Sequence, residues 1–362
     1  MKAAVFRDVG RPMEIEEVEV SKPGPREVLL RVAAVGLCHS DLHVMEGHLP
    51  FPLPAILGHE AAGIVEQIGA DVNTVKVGDH IIVSLAFNCG HCEQCHSGHA
   101  YRCMTPEAMR RADEPARLYR GDERFGQFMN TGSFAEMMLV HESGCVPIRR
   151  DMPLDRACLI ACGLSTGFGA VTTTAKVRAG ESVVVIGCGG VGLPAINGAA
   201  IVGASRIIAI DRVPGKLEMA RAFGATDVIN GSEGNIVEQV MALTNGRGVD
   251  HAIEAIGRKD TIEAAFTMLA KGGTATIAGV AHPDTRIELP PLAFLREKKI
   301  QGSMAGGIRL AIDIPYYVDL YLKGGLKIDE LISQRLNLSE INRGFEDMKR
   351  GEVARSVITF DV

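Results

Sequence analysis

The chain has no run of lysine and arginine longer than two residues, and its formal net charge is −6. A nucleic-acid footprint needs clustered positive charge, so none is expected. No apolar run comes near the ~18 residues that a membrane helix needs, which excludes a membrane partner at this stage. The start, Met1-Lys2-Ala3-Ala4-Val5-Phe6, lacks the apolar core of a signal peptide. Internal repeats and low-complexity segments are also missing. What remains is ordinary globular material, with 46% hydrophobic and 23% charged residues. A length of 362 residues suits two domains better than one. The nine cysteines are odd in number and come without a secretion signal. They point to a reducing, cytoplasmic setting in which thiols bind metal or pack, rather than form disulfides.

Residues 1–90 carry short β-like runs, Val28–Ala34, Ala61–Gly69 and Asp79–Ser84 among them, broken by glycine and proline. Residues 88–132 are polar, hold four cysteines and lack periodicity, which reads as a long functional loop. From Glu181 the pattern changes. Strand-like Ser182–Gly187, Arg206–Asp211, Val249–Ile256 and Gly273–Val280 alternate with helix-like Gly190–Val202, Pro214–Phe223, Ile236–Leu243 and Thr261–Leu269. Such alternation predicts a parallel, doubly wound α/β sheet inserted into a β-rich domain. The chain closes on strand-like Ser356–Phe360.

Gly187, Gly189 and Gly192 form a G-x-G-x-x-G between a strand and a helix, with Gly190 and Val191 inside it. The first glycine permits a tight turn, the second lets a pyrophosphate approach the backbone, and the third lets helix pack on strand. The helix N-terminus offers free N–H groups and partial positive charge. Asp211 ends the next strand, 19 residues after Gly192, where its carboxylate can bind ribose hydroxyls and repel a 2′-phosphate. NAD is therefore favoured over NADP, although Arg212 follows directly and an arginine there can meet a phosphate.

Cys89, Cys92, Cys95 and Cys103 bring four thiols into 15 residues, the pattern of a closed tetrahedral zinc site. Iron–sulfur ligation is less apt, because no proline follows Cys103 and no second cluster set is present. Cys38, His59 and Cys162 would leave one position of a zinc open, as catalysis needs. Spacing alone does not join those three. A hydrogen-bonded polar turn beside a packing cysteine satisfies it equally well.

The motifs GLCHSDLHV at 36–44, LGHEAAG at 57–63, the four-cysteine loop, ACGLSTGFGA at 161–170, GCGGVG at 187–192, Asp211 and Arg355 occur in this order. Together they make the chain resemble the zinc-containing medium-chain alcohol dehydrogenases along nearly its whole length. The resemblance implies a GroES-like β-rich catalytic domain, residues 1–163 and 306–362, with a structural zinc lobe at 88–104. A Rossmann domain of residues 164–305 would bind NAD. It further implies a catalytic zinc on Cys38, His59 and Cys162, and a structural zinc on the four clustered cysteines. Ser40 and His43 match a proton relay, Asp41 the carboxylate that holds the histidine ligand, and Glu60 an acid behind the metal. His39, Thr166, Lys216 and Arg355 match positions that touch the cofactor. Leu49, Leu85, Ala108, Phe128, Met129, Val280 and Met304 would line an apolar substrate cleft.

This reading makes the chain an enzyme moving hydride from a primary alcohol to NAD, the small side chains Leu85 and Ala108 leaving room for bulky, aryl, allylic or longer-chain substrates. A glutathione-dependent subfamily is disfavoured: Gly47, His48 and Glu107 stand at its cleft-mouth positions, and no arginine appears there. Polyol or secondary-alcohol dehydrogenases usually place a carboxylate where Cys162 stands. A non-catalytic zinc protein would not need both an open ligand triad and Asp211. Cys145, Cys158 and Cys188 read as packing residues. A homodimer or homotetramer is expected, joined along Lys299–Ala305, an unblunted edge strand.

Overall fold

The computed structural model describes residues 1–104, 108–111 and 113–361, so Glu107 lies outside the described residues. The chain divides into two compact units, one of Met1–Cys162 with Arg309–Val362 and one of Gly163–Ile308.

The first unit is built on the strand Glu27–Gly36, whose residues are all buried but Arg31. Apolar side chains on both faces suit a strand covered on both sides. It pairs antiparallel with Glu60–Ile68, Met137–His141 and the returning C-terminal strand Arg355–Thr359. The pairing Val357 to Gly36 sets the end of the chain beside the segment that leads into Cys38. Lys2–Phe6, Ala55–Ile56 and Glu123–Gln127 belong to a second sheet. Phe6, Leu30, Ile56, Phe134 and Phe345 fill the core. At the start of the central strand, Glu27 is buried between Arg117, whose Nε donates at 2.7 Å, and Arg110, whose Nε donates at 3.0 Å. Burial raises the Glu27 pKa, but the two guanidinium groups prevail and hold it at about 2.

The second unit holds a six-stranded parallel sheet in the order Asp227–Asn230, Arg206–Asp211, Ser182–Ile186, Val249–Glu254, Leu269–Ile277, Lys299–Gly302. The order reverses beside Ser182–Ile186, the strand that feeds the glycine turn, so a crevice opens at that point. Valine and isoleucine dominate the inner strands, as burial on both faces requires. Helices Gly192–Ile201, Pro214–Ala222, Ile236–Leu243 and Lys259–Thr267 follow strands. Asn235 caps the third by accepting from Val237 N at 2.9 Å.

Several boundaries differ from expectation. The last of these helices ends at Thr267, and Leu269 already belongs to the next strand, which absorbs Gly272 and Gly273 across a register shift. The segment 88–132 is not one loop. It contains the hairpin Leu118–Arg120 and Glu123–Gln127, turned at Gly121 with φ +57°. A glycine followed by Asp122 supplies that turn, and the polar strands hid its period. The helical run Leu154–Ala175 is long and apolar enough to cross a membrane, contrary to the sequence reading, and 78% of its most apolar window is buried in the protein. Asp155 and Arg156 had interrupted the apolar pattern. Division falls at Cys162/Gly163 and Ile308/Arg309, against 163/164 and 305/306 from the sequence.

Candidate functional site

Cys38 caps the short helix His39–Met45 as the chain leaves the central strand. His59 and Glu60 open the neighbouring strand. Cys162 sits in a π-helical turn, Ile160–Leu164, a geometry frequent at functional sites. These three distant segments bring one ligand atom each of Cys38, His59, Glu60 and Cys162 within 4.8 Å of one another. His59 is fully buried, and its Nδ1 lies 3.2 Å from Asp41 Oδ1. Its Nε2 is buried without a hydrogen-bond partner. An imidazole oriented by a carboxylate on one side, with a bare nitrogen facing two thiols on the other, is the donor set of a zinc site.

Electrostatics agree with that chemistry. The Cys38 thiol is held well below its usual range by the hydrogen bond with Cys162, against burial and with help from His59. Burial lowers the His59 pKa, but the Asp41 carboxylate and the Cys38 thiolate outweigh it and raise it. Glu60 is pushed up to about 7 by burial, and Arg355 opposes the shift. The Arg355 Nη2 lies 3.3 Å from Glu60 Oε1 and its Nη1 donates to Leu37 O at 2.9 Å. Arg355, expected to touch the cofactor, thus braces Glu60 and the Cys38 turn within the first unit. Asp41 also accepts from Gly58 N at 2.8 Å, tying the helix to the strand that carries His59.

Ser40 Oγ lies 3.8 Å from Cys38 Sγ, and Ser40 and His43 share one helix face by their i, i+3 spacing. His43 is half-buried, and burial followed by His48 lowers its pKa. His39 is exposed. Phe128 is buried with its ring edge-on to His59 at 5.7 Å, and Thr131 Oγ1 donates to Gly58 O at 2.8 Å from the same turn. Leu49 and Met129 pack partly buried on this core, and Ala108 is inside it. Leu85 is half-buried. Val280 and Met304 are exposed on the second unit.

In the 88–104 lobe the Cys89–Cys95, Cys92–Cys95 and Cys92–Cys103 sulfurs are 3.9, 3.5 and 3.8 Å apart. A tetrahedron of about 2.3 Å zinc–sulfur bonds has edges of about 3.8 Å, so the thiols are already at metal-binding separation. Cys89 N donates to Cys103 Sγ at 3.4 Å and Cys92 N to Cys89 Sγ at 3.3 Å, which stabilises thiolates. Cys145, Cys158 and Cys188 are buried, and burial pushes each thiol up. They are inert packing groups.

In the second unit Gly187 has φ +95°, and a Cβ on Gly192 would lie 1.7 Å from the Gly187 carbonyl oxygen. Gly189 faces open space, a cradle that a larger residue would fill. Gly190 and Val191 lead into the helix that Gly192 opens. Asp211 Oδ2 accepts from Cys188 N at 2.8 Å and Oδ1 from Val213 N at 3.0 Å, so the carboxylate is fixed at the glycine turn. It lines a cavity of about 450 Å³ with Ile186, Ile210, Ile256 and Thr261, and Arg212 and Arg258 stand at the same cavity. Lys216 and Thr166 are half-buried on this unit. Sequence reasoning missed Glu254, which is fully buried. Its Oε1 accepts from Ile256 N, Gly257 N and Thr261 Oγ1 at 3.0, 2.8 and 2.8 Å and so shapes one wall of the cavity. An acid closing a buried strand, VDHAIE, is the signal that could have marked it.

The pairing of a Cys/His/Cys donor set with a glycine-turn sheet defines a metal-assisted, dinucleotide-linked oxidoreductase. Residues 24–150 match the alcohol dehydrogenase GroES-like domain and residues 190–323 the zinc-binding dehydrogenase domain. The chain is 36% identical over 369 residues to alcohol dehydrogenase class-P of Arabidopsis thaliana, covering 99% of this chain and 97% of that protein. Alcohol dehydrogenase 1 of Pisum sativum is 38% identical over 370 residues, with the same coverage. The structure of benzyl alcohol dehydrogenase from Acinetobacter calcoaceticus superposes with a TM-score of 0.94 at 32% identity, over 99% of both chains. The chain therefore belongs to the zinc-containing medium-chain alcohol dehydrogenase family, is an enzyme, and has alcohol dehydrogenase activity.

Proposed function

We propose that the chain oxidises a primary, apolar alcohol, aryl or allylic or longer than ethanol, to its aldehyde with NAD, using one catalytic and one structural zinc. The observation that carries the reading is the bare, buried Nε2 of His59 between the thiols of Cys38 and Cys162. Three protein donors leave a fourth position for substrate, whereas the four thiols of the 88–104 lobe leave none. When bound, zinc supplies Lewis-acid polarisation of the alcohol oxygen, and the nicotinamide supplies the hydride acceptor. The protein's part is to orient and to move the proton. Asp41 fixes the His59 ring through Nδ1. Ser40 Oγ takes the alcohol proton, and His43 passes it to water. The depressed pKa of His43 keeps its imidazole neutral and able to accept. Glu60 and Arg355 balance charge behind the thiolates. Asp211 binds the adenosine ribose and selects NAD. The likeness to a benzyl alcohol dehydrogenase and the small residues Leu85 and Ala108 support a roomy cleft. Thiolate ligands persist in a reducing compartment, which favours the cytoplasm. Subunits would pair along the sheet edge Lys299–Gly302, beside the exposed Leu292 and Leu295.

The test is NADH formation across ethanol, benzyl, allylic and long-chain alcohols, with NAD and NADP, for the wild type and Cys162→Ala. Turnover on benzyl or allylic alcohols with NAD, lost in a variant that keeps its fold and one zinc, is expected. A variant with two zincs and full activity would overturn the ligand assignment.

A further inference from the structure

We propose that His43, Glu46 and His48 form a third, surface site for a divalent transition-metal ion, and that its occupation withdraws His43 from proton transfer. The inhibitory half rests on the role given to His43 above. The binding half does not.

One ring nitrogen of each histidine and a carboxylate oxygen of Glu46 lie within 4.8 Å of one another. The backbone makes this cluster. His43 is in the last turn of the helix His39–Met45, and Glu46 caps it. Gly47 then turns the chain back with φ +76°, where a Cβ would meet Val9 at 2.9 Å, and Leu49 N donates to His43 O at 3.0 Å. His48 is thereby folded over the helix end, its ring 5.8 Å from that of His43. His48 Nδ1 is 3.6 Å from Glu46 Oε2. The other Glu46 oxygen, Oε1, faces Lys349 Nζ at 3.4 Å, so Oε2 is the one available to a metal. The His43 Nδ1 is buried with no hydrogen-bond partner.

Imidazole, imidazole and carboxylate suit zinc, copper and nickel far better than calcium or magnesium. Zinc–nitrogen bonds of about 2.0–2.1 Å set donors about 3.4 Å apart, so the widest pair must close by at most about 1.5 Å. The His48 side chain is 55% exposed and can rotate by that amount. A metal there would occupy an imidazole nitrogen of His43, leaving it unable to cycle a proton.

The experiment adds Zn(II) or Cu(II) alone to the holoenzyme, with its own metals retained, and compares wild type with His48→Ala and Glu46→Gln. Expected is one further equivalent per chain, seen with Cu(II) as an electron paramagnetic resonance signal split by two nitrogens. Turnover of wild type should fall as that equivalent binds. In His48→Ala the ion should bind at least about tenfold more weakly, the ratio set by 1.4 kcal/mol, with basal turnover unchanged. No extra equivalent, or identical binding in wild type and His48→Ala, overturns the site. Binding at saturation without loss of turnover overturns the inhibitory role. A protein that binds copper as described yet oxidises no alcohol would instead refute the proposed reaction.

Discussion

Replacing Asp41 by Asn removes one charge from a fully buried position and little else. Asp41 Oδ1 meets His59 Nδ1 at 3.2 Å and Gly58 N at 2.8 Å, and the amide oxygen of asparagine can keep both contacts. Asp41 Oδ2 is buried without a partner, so the new amide nitrogen displaces no existing bond. What changes is the strength of the hold on the His59 ring. A hydrogen bond to a charged group is worth about 1.5–3 kcal/mol and a neutral one about 0.5–1.5. The difference, about 1–1.5 kcal/mol, corresponds to roughly 5- to 13-fold in affinity. Losses of about 10- to 100-fold are usual when the carboxylate behind a metal-bound histidine is altered, so about tenfold is the expected weakening of the metal on Cys38, His59 and Cys162. A chelator titration with a metallochromic indicator resolves it. One equivalent of zinc should leave the variant at about tenfold lower chelator, while the equivalent on Cys89, Cys92, Cys95 and Cys103 is unmoved. If both equivalents leave as in wild type, or if the four-cysteine equivalent moves instead, the assigned ligand set is wrong.

Asp211→Gly should lower the ratio of NAD to NADP catalytic efficiency at least about tenfold, since it removes ribose hydrogen bonds worth about 1.5–3 kcal/mol and the repulsion of a 2′-phosphate. A wild type that prefers NADP would assign the cavity to Arg212 and Arg258 instead. Glu27→Gln should destabilise the first unit by about 3 kcal/mol at pH 7, the worth of holding a buried carboxylate about 2.5 units below its unfolded value. Because the folded pKa of about 2 lies under the ordinary 4.5, that stability is present above pH 4.5 and is lost as pH falls toward 2. Urea unfolding midpoints should therefore differ at pH 7 and converge near pH 2–3; a gap that stays constant with pH would refute the ion-pair account.

The parallel sheet was legible because Val183–Ile186, Ile207–Ile210 and Val249–Ile253 are apolar runs bounded by turn residues, and burial on both faces demands such runs. The glycine turn and Asp211 were legible because one strand and one helix fix their spacing. The four clustered thiols carry their own geometry in 15 residues. Cys38, His59 and Cys162 could be joined only through family resemblance, because their contact depends on how three separated segments pack. Glu254 escaped notice since its three donors are two backbone N–H groups and a threonine hydroxyl, none of which marks a sequence. The hairpin at 118–127 escaped because its strands, LYR and ERFGQ, have half-polar faces with no clean alternation. His48 was weighed only for a glutathione site. Its place over His43 depends on the left-handed turn at Gly47, which a sequence leaves open.

The two donor sets differ most in how far apart their members lie along the chain. Cys89 and Cys103 are separated by 14 positions, Cys38 and Cys162 by 124. Closing the longer loop costs about 2 kcal/mol more in chain entropy, and it cannot happen until the central strand, the strand after His59 and the helical run at Cys162 have met. During synthesis the lobe can therefore capture a metal while the rest of the chain is still collapsing, whereas the dispersed set comes into being only with the finished fold. Metal uptake at the second set is then a late event that reports completion, and a chain starved of zinc would stall with its lobe filled and its reactive centre unmade.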